Sequence, residues 1–474
     1  MQYTKTLLCL LTLCALPARA ADIYWTNTLG GNWNVPANWS PNQVPGMGDS
    51  AFITQAGTYT VAVNVDATLG SLLVGATSGT QTVSVASFTL RLNGASVFSS
   101  KAVLRLAGGA VDGPGEITVN GFIDWTGGTI EGVGVLNANG GMAISGSGDK
   151  FLYARTINNG GTVTWTSSGN LRHGFGAVFN NPAGSLFDMQ TDADILRVGT
   201  GSTLSFKNAG TFRKSAGPGA NEFNAVSFYN AGNVEIQIGA FQLANGEFIQ
   251  TAGSTLLNES ILFAHFGTKI RGGLIGGTGS FLQDVTYGFS MSGQLSPGLS
   301  AGRIEANGNY IQNASGSYNC EIGGTIAGTN YDQVSITGSA QLAGTINVVS
   351  INGFVPALGD RFEIMKFGSV SGSGSLTFQG LDITNGVYLQ PVFSPTNLVL
   401  VATNAPLSAA PKLNLARNGD SLWLWWPLGY GAFNVQSTTN LNTPIPWSPV
   451  APAELNRHTF TPAGPAKFFR MISP

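Results

Sequence analysis

Charge is scarce in this chain of 474 residues: only 10% are Asp, Glu, Lys or Arg. No run of basic residues forms a patch for nucleic acid or an anionic membrane surface, so neither is expected as a partner. Histidine numbers 3, and His173, His265 and His458 fall in different regions, with no ligand spacing for a metal. Cysteine also numbers 3. Cys9 and Cys14 lie in the N-terminal segment, outside any lipobox, and would leave with it. Cys320 is then alone, which excludes an intramolecular disulfide and suits a small buried apolar residue. After residue 20 no stretch reaches the roughly eighteen apolar residues of a membrane helix.

Residues 1–20 have the form of a secretory signal. Lys5 supplies the positive region, Leu7 to Leu16 the apolar stretch, and Ala18-Arg19-Ala20 the cleavage site, with cleavage expected after Ala20. Removing Lys5 and Arg19 leaves 20 basic against 24 acidic residues, a net charge of −4. A secreted or cell-surface location follows as an expectation. With 43% hydrophobic residues and 65 Gly the mature chain can bury a core, and its composition is not that of a disordered protein.

The most informative feature is a repeat. Asn159, Asn181, Asn208 and Asn230 recur at intervals of 22, 27 and 22, each two positions after Ile157, Phe179, Phe206 or Phe228. Val135-Leu136-Asn137-Ala138 falls one period upstream, and Ile249 to Gly253 and Ile270 to Gly273 continue the phase. A shorter echo of period 19 relates Gly113 to Ile117 with Gly132 to Leu136. A unit this short cannot bury its own apolar face and must stack on its neighbours. The units are rich in β-branched and aromatic residues, broken by Gly and Asn, with no sustained helical spacing. Three short strands per coil are therefore expected, stacked as a β-solenoid. The Phe and Ile positions should point inward and stack, Asn and Gly should take left-handed turn conformations, and stacked Asn side chains should bond along the axis.

Residues 21–70, with Trp25, Trp33 and Trp39, are expected to cap the open end of the solenoid, a sugar-stacking platform being the alternative. Coils should fill 71–290. From 291 to 402 strands lengthen, as at Asp332 to Gly338 and Ala343 to Val348. Residues 403–411 suit a linker. Residues 412–474 suit a small β-sandwich, with strands at Ser421 to Trp426, Phe433 to Thr438, His458 to Thr461 and Lys467 to Met471 and a core of Trp425, Trp426 and Trp447.

Several segments resemble known families. Gly31-Asn32-Trp33, Asn38-Trp39-Ser40 and Val44-Pro45-Gly46 look like the start of secreted β-helical repeat proteins of Gram-negative bacteria, and Phe179-Asn180-Asn181 and Ala209 to Gly217 are similar to their repeats. Pro297 to Gly302, Gly308-Asn309-Tyr310 and Asp332 to Gly344 resemble the C-terminal part of autotransporter passengers and filamentous-haemagglutinin-like adhesins. Trp426-Pro427, Val435 to Leu441, Trp447 and Phe468-Phe469-Arg470 look like a terminal immunoglobulin-like domain of secreted Verrucomicrobia proteins. The resemblance implies an all-β chain, a right-handed parallel β-helix followed by a small β-sandwich, in adhesion or surface-layer roles. The sixty-odd residues after the linker are too few for an export barrel, so none is expected.

Catalytic chemistry finds little support. A β-helix enzyme acting on polysaccharide would need paired carboxylates or a Lys or Arg base. Glu116, Asp124 and Glu131 are the nearest candidates for a pair, although solvated turns account for them. Asp188, Asp192 and Asp194 form the densest acidic group and would be the calcium candidates, but their spacing matches no calcium loop. Gly272 to Gly277 lacks the Lys-Ser and helix of a phosphate loop, and no Gly-x-Ser-x-Gly elbow precedes a helix. No catalytic, cofactor-binding or metal-binding residue is assigned and no cofactor is expected. The expectation is a structural or adhesive solenoid with glycans or cell-envelope components as partners. A polysaccharide lyase or hydrolase, or a carbohydrate-binding protein using exposed Trp, is the alternative.

Overall fold

The computed structural model describes residues 20–198, 201–284, 286–371, 376–384, 386–404, 413–418, 421–425, 434–450, 457–461 and 467–472. Residues 1–19 of the expected signal segment and 405–411 of the expected linker lie outside the described residues. The chain is a β-solenoid of three strands per coil. One coil runs through Val226–Asn230, Asn233–Ile236 and Ala240–Leu243 before Phe248–Gln250 starts the next. We call these three sides faces A, B and C. Face A is a 17-stranded sheet in which strands stack in parallel, except that Trp39–Ser40 runs antiparallel to Asp22–Trp25. At about 4.8 Å per step the stack is on the order of 70 Å long.

Period-2 alternation decides what faces inward. Val226–Asn230 buries Phe228 and Asn230 and turns Tyr229 out. The expected Phe ladder is present: Phe179, Phe206, Phe228 and Phe248 stack with centroids 5.2, 5.0 and 5.5 Å apart and nearly parallel rings. Phe187 and Phe212 on face B form a second stack at 5.6 Å, which meets the first edge-on, Phe206 to Phe212 at 5.4 Å. Offset and edge-on contacts of this kind add about 0.5–1.5 kcal/mol per pair to area burial.

The repeat Asn residues differ from expectation. Asn159, Asn181, Asn208 and Asn230 are buried strand residues, and none has the positive φ of a left-handed turn. The expected bonding along the axis is present: each Nδ2 donates to the next side chain, Asn159 to Asn181 at 2.8 Å, Asn181 to Asn208 at 2.7 Å, Asn208 to Asn230 at 2.8 Å and Asn230 to Gln250 at 3.0 Å. The other Nδ2 hydrogen reaches a carbonyl on face B, as from Asn208 to Asn233 O at 2.9 Å. The physical reason is the corner between faces A and B. A buried amide there bonds along the axis and across the corner to a backbone carbonyl, and a buried polar group left alone costs about 1–3 kcal/mol. Two glycines at this corner have a steric origin: a Cβ on Gly232 would lie 2.1 Å from Gly210 O, and one on Gly253, at φ +69°, would lie 1.8 Å from Gly232 O.

At the N-terminal end Trp25, Trp33 and Trp39 are fully buried and meet edge-on at 5.0 and 4.7 Å. They seal the first coil, and their burial rules out the sugar-stacking platform. Parallel pairing begins within this segment, at Asp22–Trp25 on Ser50–Ile53, ahead of residue 71. At the far end Val387–Phe393 and Asn397–Thr403 pair antiparallel, and the latter also closes onto Arg361–Lys366. The C-terminal residues form two three-stranded antiparallel sheets, one of Asn414–Asn418, Ser421–Trp425 and Arg457–Phe460, the other of Ser448–Pro449, Asn434–Thr438 and Phe468–Ile472. Leu424 and Val435, one from each sheet, share a small apolar cluster. Trp426 and the Trp425 side chain lie outside the described residues. Trp447 is half-buried under Arg470, whose guanidinium sits 4.4 Å from the ring centroid.

Candidate functional site

The carboxylates singled out in the sequence are not brought together. Asp124 points out from face B and accepts from Arg105 at 2.8 Å, Glu116 accepts from Asn137 on face A at 2.7 Å, and Glu131 follows the face C strand, its carboxyl pushed up by burial and then by Asp112. The 188–194 group is equally divided. Asp188 accepts from Ser215 and Gln190, Asp192 pairs with the buried Lys214 at 3.0 Å, and Asp194 accepts from the Glu222 amide at 2.8 Å. Among the described residues no three His, Cys, Asp or Glu lie close enough to hold a metal ion.

His173 is fully buried, with Nε2 at 2.9 Å from Asn224 O, and burial holds its pKa down. His265 packs against Phe266 on the surface, and His458 lies in the C-terminal sheets. Cys320 is fully buried and its thiol is pushed well up by burial, as a small core residue should be. No helix among the described residues is long and apolar enough to cross a membrane.

Among the described residues six ion pairs link neighbouring coils. Arg213 meets Glu235 at 2.8 Å, Arg172 meets Asp149 at 2.5 Å, Lys269 meets Glu247 at 2.5 Å, and Arg91 pairs with Asp112. Two surface grooves stand out against this background. The larger, about 710 Å³, runs along face B over Ile236, Leu256 and Leu257, rimmed by Gln237, Asn258 and Leu299. Glu235 is the one acid lining it among the described residues, and it is already bound to Arg213.

The smaller groove, about 380 Å³, follows the corner where face A meets face B. Register builds it: Asn180, Lys207 and Tyr229 are successive outward partners on face A, followed by Ile249 and Lys269. The Asn ladder and the alanines Ala209 and Ala231 form its floor, with Thr251 at its end. Tyr229 leaves 38% of its surface exposed. Upstream the outward column continues as amides, Asn180 donating to Asn158 at 2.7 Å and Asn158 to Asn137 at 2.8 Å. Sequence inspection did not single this site out, although the alternation of Phe228 inward and Tyr229 outward was a usable signal.

No protein-family model matches the chain, and no curated protein is significantly similar to it.

Proposed function

We propose that this chain is an exported, non-catalytic β-solenoid serving as a rigid structural and adhesive element at the cell surface or in the extracellular matrix. The observation that carries this reading is the distribution of charge. Outward ion pairs bridge adjacent coils and tie the stack together, and the carboxylates a glycosidase or lyase would require sit on separate faces. A stiff rod stabilised by side-chain ladders suits a spacer or a holdfast, and outward amides with an exposed Tyr suit contact with hydroxyl-rich glycans. The secretory form of residues 1–20 and the resemblance to adhesin repeats support the location.

A second reading keeps one specific observation in its favour. The face B groove is roomy and contains Glu235 beside Arg213, so a polysaccharide lyase or hydrolase would act there. Incubating the full chain with a panel of polysaccharides and measuring released reducing ends and unsaturated products separates the two. The structural reading expects sedimentation with at least one insoluble glycan or with cell envelopes and no product. Turnover abolished by Glu235→Gln would replace it with the enzyme.

A further inference from the structure

We infer that the corner groove between faces A and B is a binding site for an acidic polysaccharide, one bearing carboxylate or sulfate groups at regular intervals. This deepens the adhesive reading and rests on it.

The inference starts from two cations. Lys207 and Arg271 are both exposed, and neither enters an ion pair among the described residues. Their neighbours differ: Lys269 is neutralised by Glu247 and Arg213 by Glu235. Both cations belong to the same corner. Lys207 lies in the groove wall. Arg271 follows Ile270, the partner of Gln250, so it sits one coil beyond Thr251 at the groove's end and donates its backbone N–H to Gln250 O at 2.7 Å. Three coil steps separate the two, about 14 Å along the axis.

Between them stand Tyr229 and the hydroxyl of Thr251. An aromatic face against the apolar face of a sugar ring, with hydroxyl and amide groups beside it, is an arrangement suited to carbohydrate. The charge pattern narrows the class. On face A from Asn180 to Arg271 the acid is Glu247, already paired, so the groove presents two uncompensated positive charges to its occupant. A neutral glycan would leave both cations without gain, and a single small anion could reach only one. A chain with recurring anionic groups lying along the axis reaches both while one ring stacks on Tyr229. Nucleic acid is the other polyanion with stacking faces. Single-stranded nucleic acid would need several stacking platforms for successive bases, and Tyr229 is the one aromatic lining this groove among the described residues.

The test is affinity electrophoresis and calorimetry on the full chain with polygalacturonate, a sulfated galactan, a neutral β-glucan and single-stranded DNA. One or both acidic polymers should bind, whichever carries the matching anion, and more tightly than the β-glucan and the DNA. Lys207→Ala and Arg271→Ala should each weaken binding about threefold to fivefold, and Tyr229→Ala about fivefold or more. Lys207→Glu should reduce it further, and added salt should weaken the wild type more than the Lys207→Ala variant. These side chains point outward, so circular-dichroism melts of the variants should match the wild type. Acidic polymers bound equally well by a Lys207→Glu, Arg271→Glu double variant would overturn the inference. Tyr229-dependent binding that favours the neutral glucan would also overturn it while leaving the adhesive reading standing. Retention of DNA as tightly as the acidic glycans would overturn the choice of ligand. No binding to any polymer, together with no sedimentation with cell envelopes, would remove both.

Discussion

Between Thr156 and Gln250 the corner of the solenoid is held by a continuous file of buried amides, each bonded to the side chain of the next coil. From Tyr310 onward the same position reads Gln312 and then Leu342, and the spacing grows to 30 residues, Tyr310 pairing with Ala340. The extra length is a loop from Gly323 to Asp332, pinned where Gly323 donates to Asn330 O at 2.7 Å. Gln312 works alone there: its Nε2 donates to Ala343 O at 2.7 Å and its Oε1 accepts from Tyr310. The buried Asp332 accepts from the Gly302 and Glu321 amides at 2.7 and 2.9 Å. A ladder propagates only while an amide fills each rung, because each rung uses its neighbour's free donor or acceptor; it crosses the 27-residue interval from Asn181 to Asn208 intact and stops where Ile270 and Met291 take the position. Beyond the ladder, single buried residues such as Gln312 and Asp332 meet backbone groups, and antiparallel strands terminate the stack.

The contrast predicts unequal costs. Phe206→Ala removes a ring packed between Phe179 and Phe228 and edge-on to Phe212, and chemical denaturation should show a loss of about 3–5 kcal/mol. A loss under about 1 kcal/mol would mean that the stacked column does not carry the core.

Asn208→Ala comes next. It deprives Asn181 of an acceptor and leaves Asn233 O and Asn230 Oδ1 without that donor, for about 2–3 kcal/mol. Gln312→Ala, outside any ladder, should cost roughly 1 kcal/mol. Equal losses measured at the two sites would erase the distinction between rung and isolated cap.

Much of the fold was legible because a repeat displays its own register. The interval of 22 between Phe206 and Phe228, and between Asn208 and Asn230, is the pairing found. The C-terminal strands also fell within a residue or two of their expected bounds. The orientation of Asn was not legible, since its common role in left-handed turns competes with burial, and the carbonyls that draw it inward exist only once coils stack. Trp25, Trp33 and Trp39 are buried, which leaves no exposed platform there. Lys207 and Arg271 escaped notice because an unpaired charge is defined by neighbours from other coils, which one sequence does not show.

The smallest effect is one of pH. Burial pushes the Asp332 carboxyl up to about 8, against two backbone N–H bonds that favour its charged form, while an unfolded Asp titrates near 3.9. The folded state therefore holds a proton that the unfolded state releases between about pH 4 and 8, and linkage makes stability fall as pH rises through that window. Burial sets the direction of the fall, and the Glu321 charge adds to it. Thermal midpoints measured from pH 5 to 8 should decline for the wild type and stay nearly level for Asp332→Asn, which keeps the shape and one acceptor without the ionisation. The mid-solenoid amides do not titrate, so Asn208→Ala should be offset from the wild type by the same amount at every pH. A wild-type midpoint that is flat or rises over this range would show that the paired N–H donors outweigh burial and that the carboxyl is ionised throughout.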